Sequence, residues 1–330
     1  MAAPDAAAAR AEQLVNRLVP ADGPRRRMLV IVNPHATAVS DRLRSVVLHA
    51  LHARYEVEAI ETKAPRHATQ ICRETAGGGY DVVVAFGGDG TANEAANGLV
   101  GSDTPLTCLP GGSTNVWCRT LGIPDDVVDA TGHLLELAEK FSVRRVDLGR
   151  AADRHFLFGS GAGLDASVVE RVDRRPDLKA RAGKWFFTWA ALSAFVGRYL
   201  VSPPLLRVRF GDRELEAVTV IVQNSDPFTY FGGRPIRLGV GAGLETGTLS
   251  LAALHRARPQ DLPTLIARLF SADPRTVLRH RQIKGASELS GLRVEGLDGQ
   301  SFPVEADGDY LGEFDSVEYA VVPRALAVLA

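Results

Sequence analysis

Between Arg27 and about Val143, short runs of consecutive apolar residues alternate with stretches whose apolar positions recur every three or four residues. This is the rhythm of strand and crossover helix that builds a parallel sheet. Met28 to Val32 (MLVIV) reads as the first strand, closed by Asn33-Pro34. Ser40 then offers an N-cap to a helix that carries Leu43, Val46, Val47, Ala50 and Leu51 at helical spacing. Tyr55 to Glu61 reads as a second strand and His67 to Ala76 as a second helix. Asp81 to Phe86 (DVVVAF) lacks the polar alternation of a half-exposed strand, which places it centrally, covered on both faces. Pro105 to Pro110 adds another strand, leading into a helix from about Asn115, and Asp125 to Phe141 reads as a longer helix.

The second half has a different texture. A helical stretch near Asp165 to Arg174 and an aromatic segment, Trp185 to Val201, are followed by short apolar runs from Leu205 onward, punctuated by turns at Gly211-Asp212, Gly247, Gly291, Asp298-Gly299 and Asp307-Gly308. Pro259 to Phe270 and Asp273 to His280 interrupt these strands as helices. The expected organisation is an α/β N-terminal domain with a parallel sheet over 27–145, and a β-rich C-terminal domain over 146–321. Residues 1–26, rich in alanine and broken by prolines, read as a flexible extension without the continuous apolar core of a secretory signal.

Composition narrows the class only slightly. A chain of 330 residues that is 45% hydrophobic can bury two cores, and a formal net charge of −1 gives no broad attraction for nucleic acid. Cys72, Cys108 and Cys118 show no CxxC spacing, so reduced, buried thiols are expected rather than disulfides or a zinc site. The 17-residue aromatic segment carries Arg198 and sits at the lower limit for a spanning helix, so a buried or interfacial helix is the better reading.

The chemistry lies in two glycine-rich loops. Gly87-Gly88-Asp89-Gly90-Thr91 directly follows the buried strand and opens a helical stretch, Ala92 to Leu99. Glycines there let the backbone turn sharply so that amides at the start of the helix can face phosphate oxygens. Asp89 is informative, because a carboxylate among such amides repels a phosphate unless it serves a metal ion or a reacting hydroxyl. A tight turn with aspartate as a helix cap would give the same letters. One unit later, Pro110-Gly111-Gly112-Ser113-Thr114-Asn115 repeats the arrangement. Two such loops at the ends of consecutive strands form the crevice where open α/β sheets place ligands. Neither matches the Walker or GxGxxG pattern.

With VNP (Val32 to Pro34), GGDGTANE (Gly87 to Glu94), PGGSTN (Pro110 to Asn115), GSGAGLDA (Gly159 to Ala166) and EADGDYLG (Glu305 to Gly312) in this order, the chain resembles the diacylglycerol kinase catalytic family of bacterial lipid kinases, related to sphingosine kinases and NAD kinases. The resemblance implies an α/β nucleotide domain followed by a β-sandwich, with a final strand, 322–330, returning to the first domain. It implies ATP as donor, contacted by Asn33, Thr62, Gly87, Gly88, Asp89, Gly90, Thr91, Asn93, Gly112, Ser113 and Thr114. ATP-bound Mg2+ would lie near Asp89, and Asp307 would act as general base. Asp307-Gly308 also reads as an ordinary hairpin turn.

Three departures accompany the likeness. Residues 35–40 lack the Ser-Gly that commonly follows Asn-Pro, which shifts any phosphate contact to Thr37 or the backbone; Asp309 replaces a usual glutamate; and Thr246 stands where some relatives hold a structural magnesium with an aspartate.

The acceptor implied is a diacylglycerol-like lipid, with a cytoplasmic protein that meets the inner face of the membrane transiently. The basic run Arg171 to Lys184 beside Trp185, Phe186, Phe187 and Trp189 suits an interfacial helix, and a core helix with a solvated lead-in suits it as well. The sequence is compatible with a homodimer. A sphingoid-base kinase, an NAD kinase and a non-catalytic nucleotide- or lipid-binding regulator are the alternatives. Retention of Asp89, Glu94 and Asp307 together favours catalysis over mere binding.

Overall fold

The computed structural model describes residues 4–17, 24–36, 39–163, 205–231, 233–256, 258–271, 273 and 275–330. The expected helix at 165–174, the basic run, the aromatic segment and Thr37 lie outside these residues. The chain divides into two compact units, Met1–Val146 with Arg324–Ala330, and Asp147–Pro323.

The first unit opens on α1 (Pro4–Arg17), where a flexible extension was expected. Proline is tolerated at the first helical position, and the alanines that follow are strong helix formers. Ala8 and Ala11 are buried, and the helix packs on α2 and α6. Then come β1 (Arg26–Val32), α2 (Asp41–Leu51), β2 (Tyr55–Glu61), α3 (His67–Thr75), β3 (Val82–Gly87), α4 (Asp89–Leu99), β4 (Leu106–Pro110), α5 (Val116–Thr120) and α6 (Val127–Leu137). Ser40 Oγ accepts the Leu43 amide at 3.3 Å, the expected N-cap of α2. The strands run parallel in the order β2-β1-β3-β4, with every residue of β3 buried, as its uninterrupted apolar run requires. The longer helix begins at its Asp126 cap and stops at Leu137, short of the expected Phe141.

The second unit is built from β5 (Val143–Ala151, which enters from the first unit), β6 (Arg154–Phe156), β7 (Gly159–Gly163), β8 (Leu206–Phe210), β9 (Arg213–Ala217), β10 (Thr219–Gln223), β11 (Thr229–Phe231), β12 (Arg234–Ile236), β13 (Leu249–Leu254), α7 (Leu262–Leu269), α8 (Arg275–Leu278), β14 (Ile283–Leu289), β15 (Gly291–Gly296), β16 (Phe302–Ala306), β17 (Asp309–Phe314) and β18 (Ser316–Leu329). One antiparallel layer runs β14-β13-β10-β7-β16-β17. A second antiparallel layer runs β9-β8-β15 and the first part of β18. Val220, Leu251 and Val304 from one layer share a core with Val208, Leu292, Val294 and Tyr319 from the other, which makes the unit a β-sandwich. The end of β18 belongs to the first unit, where Val328 pairs in parallel with Leu106 of β4.

All three cysteines are free and buried. Burial, with Glu94 nearby, pushes the Cys72 thiol up to about 12. Cys108, 2.8 Å from the Cys118 sulfur, is likewise raised by burial. Since the thiolate is the nucleophile, the native protein should resist a thiol-directed reagent at pH 8, and release three reactive thiols per chain in denaturant. Rapid labelling of the native chain by Ellman's reagent would contradict this packing.

Candidate functional site

Three loops gather at the carboxyl edge of the parallel sheet, each sprung from a strand end. After β1, Asn33 folds a tight turn: its Oδ1 accepts the His35 amide at 2.9 Å, and its carbonyl accepts the Ala36 amide at 3.1 Å. Its own amide donates to Phe86 O at 3.0 Å, and its Nδ2 donates to the Thr91 hydroxyl at 3.2 Å, which ties the first loop to the second. Thr62 follows β2 directly, with its amide bonded to Val32 O at 2.8 Å.

The two glycine loops lie backbone against backbone. The Gly111 amide donates to Gly87 O at 2.8 Å. A Cβ on Gly112 would stand 2.9 Å from Gly88 Cα, and one on Gly111 would stand 3.0 Å from Gly87 Cα and 3.1 Å from the Ala36 methyl. These positions are glycine because no side-chain carbon fits between the loops. Gly88 is the N-cap of α4 and offers no side chain to its first-turn amides, so the positive end of this helix is left uncapped at the junction of the loops.

Asn115 holds the second loop in shape, a role the letters did not disclose. It adopts the left-handed region, with φ 49°. Its Oδ1 accepts the Gly112 amide at 2.9 Å, and its Nδ2 donates to Gly112 O and to Asp125 Oδ1, each at 3.0 Å. Asparagine tolerates this backbone and can bond locally, which was the available signal. Ser113 is left exposed and Thr114 half-buried beside it.

The three acids are all engaged by backbone amides. Asp89 does not cap its own helix. Its Oδ1 accepts the Trp117 amide at 2.9 Å, so the carboxyl seats on the start of α5. Burial pushes this carboxyl up, while the Trp117 and Val116 amides pull it down. Glu94 accepts the Arg66 amide at 2.9 Å and the Ala68 amide at 3.2 Å, capping α3. Asn93, expected at ATP, is fully buried and bonded to Asn97, so it supports α4 from within; Thr91 is also buried, its hydroxyl held by Asn33.

In the second unit, Asp307-Gly308 forms a two-residue hairpin turn between β16 and β17, with φ 50° and 86°. The Asp307 carboxylate is nevertheless engaged. Its Oδ2 accepts the Leu157 amide at 2.6 Å, and its Oδ1 accepts those of Phe158 and Gly159 at 3.0 and 3.1 Å. All three acids thus bind backbone amides, which a purely structural role would also produce, so their joint retention no longer separates catalysis from binding. Among the described residues, no group of three or more His, Cys, Asp or Glu is placed to hold a metal ion.

Residues 27–151, somewhat more than a third of the chain, match the diacylglycerol kinase catalytic domain. It is similar to a "Probable lipid kinase YegS-like" of Pseudomonas putida, 28% identical over 225 residues that make up 68% of this chain and 67% of that protein. It is also 32% identical to a diacylglycerol kinase of Bacillus subtilis over 143 residues, 42% of this chain and 46% of that protein, so the match spans less than half of that relative's length. A solved diacylglycerol kinase structure from Bacillus anthracis str. Sterne superposes with a TM-score of 0.71 at 24% identity, covering 93% of this chain and 98% of that one, which establishes the fold. The domain match and the relatives together support a lipid kinase, and a kinase domain of this kind implies ATP as the phosphate donor.

Proposed function

We propose that this protein transfers the γ-phosphate of ATP to the hydroxyl of diacylglycerol or a closely related lipid, which yields phosphatidic acid when diacylglycerol is the acceptor. The observation that carries this reading is the glycine cradle: Gly87-Gly88 and Gly111-Gly112 in direct backbone contact beside the uncapped start of α4. A cradle too tight for any Cβ suits phosphate oxygens held by backbone amides. Phosphoryl transfer asks mainly for positioning and charge neutralisation, which such a cradle supplies.

Each residue of the site has a part in this proposal. Asn33 locks the first loop to Thr91, and the Gly111 and Gly112 amides are spent on Gly87 O and Asn115 Oδ1, so the amides of 88–91, 113 and 114, left for phosphate, are fixed before a ligand arrives. Asp89 sets the start of α5 against α4. Magnesium would be held chiefly by the phosphates, since it keeps several waters and asks for only one or two carboxylates; Asp89 is the acid nearest the cradle in sequence. Asp307 is the carboxylate assigned to the acceptor's proton, and its three amide bonds fix its orientation.

In this proposal the lipid is met from the membrane surface, on the cytoplasmic side; among the described residues, no helix is long and apolar enough to cross a membrane. The test is an acceptor panel: purified protein with magnesium and γ-labelled ATP against diacylglycerol in mixed micelles, sphingosine and NAD. Label is expected in phosphatidic acid. Transfer to NAD alone would remove the lipid reading, and no transfer to any acceptor would favour a regulator.

A further inference from the structure

The second unit carries an apolar patch that its core does not use. Phe231, at the tip side of the β11–β12 hairpin, is 54% exposed; Ile266 on α7 is 51% exposed and Phe270, the residue that ends it, 39%. The rings of Phe231 and Phe270 meet edge to face with centroids 5.4 Å apart, so hairpin and helix present one continuous surface. Leu269 of α7 already packs against the small core of Ile236, Leu238, Ala252 and Val277. The helix is therefore anchored by one face while Ile266 and Phe270 point elsewhere, four residues apart on a common side.

The segment that carries α7 and α8 is predominantly basic. Residues 255–281 contain six arginines against two aspartates and no lysine or glutamate, in a chain whose formal net charge is −1. Asp261 is buried and paired with Arg281, and Asp273 is turned to the Arg275 amide at 2.9 Å. Arg256, Arg258, Arg275 and Arg279 are exposed and form no ion pair among the described residues, and the same holds for Arg234, the cross-strand neighbour of Phe231. Arg275 opens α8 and Arg279 directly follows its last residue, and α8 packs beside α7.

We infer that Phe231, Ile266 and Phe270, with the arginines of the same hairpin and helical segment, form the surface by which the protein docks on an anionic lipid bilayer. Aromatic and aliphatic side chains enter the boundary between headgroups and acyl chains, and each nearby arginine adds attraction to an anionic surface. The charge complementarity selects this occupant over a second copy of the chain, whose identical patch would oppose cation to cation. The inference deepens the lipid-kinase reading by naming where the enzyme meets its substrate's membrane, and it is distinct from the basic and aromatic run at 171–201.

The test is co-sedimentation of the full chain with phosphatidylcholine vesicles, with and without phosphatidylglycerol. Wild type should bind the anionic vesicles, more weakly as salt rises. F231S/F270S and, separately, R275E/R279E should each lower binding at least tenfold, while phosphotransfer to a short-chain, water-soluble diacylglycerol stays as in wild type. Retained binding by both variants would overturn the inference. So would binding that ignores lipid charge, or a change of oligomeric state in F231S/F270S, which would mark the patch as an interface between copies. Vesicle binding is read without ATP, so a chain that binds vesicles but transfers no phosphate sinks the kinase reading and leaves the docking surface standing.

Discussion

Gly112→Ala is expected to cut phosphotransfer about a hundredfold, in a protein that still folds. The added methyl would sit 2.9 Å from Gly88 Cα and 3.1 Å from Asn115 Oδ1. Neither neighbour is a flexible side-chain end that can swing away, so the two loops must part by several tenths of an ångström. Misplacement of a reacting group by about 1 Å costs on the order of 100-fold in rate. The loss should appear first in nucleotide affinity, because the loops that move carry the amides of 88–91, 113 and 114 assigned to phosphate. Gly132→Ala is the matched control: it lies inside α6 with nothing within 4 Å of the added carbon, and should be neutral or stabilising by up to about 1 kcal/mol. Equal activity in the two variants, at equal stability, would show that the close approach of the loops has no bearing on transfer.

Asp307→Asn is expected to reduce both activity and stability. Its carboxylate receives three amides, two on one oxygen and one on the other. An asparagine offers one acceptor and turns an NH2 group toward an N–H, so at least one buried amide loses its partner, at a cost of about 1–3 kcal/mol. For a chain of this size that lowers the melting temperature by several degrees, roughly 2–4 °C per kcal/mol. Removal of a general base would cost transfer a further 10²- to 10⁴-fold or so. The two contributions separate cleanly. A variant that melts early yet, once held below its transition, transfers phosphate at the wild-type rate has Asp307 as a structural clasp only.

The legibility of this protein follows from which interactions are local. Strands such as Tyr55–Glu61 and helices such as α2 are written in short-range periodicity and a cap three residues away, and the structure reproduces them. The glycine loops were legible because a chain that must leave out every Cβ has only one residue to use. Helix α1 was misread because alanines broken by prolines look like an extension when the partners, α2 and α6, lie tens to more than a hundred residues away. The same reason hid the roles of the acids. Asp89 reaches α5, Glu94 reaches back to α3, and Asp307 clasps residues 150 positions earlier, and none of these partners is visible from the residue's neighbours in sequence. Asn115 was quoted within its motif, yet only its left-handed backbone reveals it as the brace of the loop.

Hydrogen exchange of the backbone amides, with and without magnesium ATP, addresses the nucleotide cradle most directly. Slowed exchange should be confined in the first unit to residues 88–91, 113 and 114, and should vanish in Gly112→Ala. Tight ATP binding that leaves those amides unchanged would mean that the phosphates are held somewhere else.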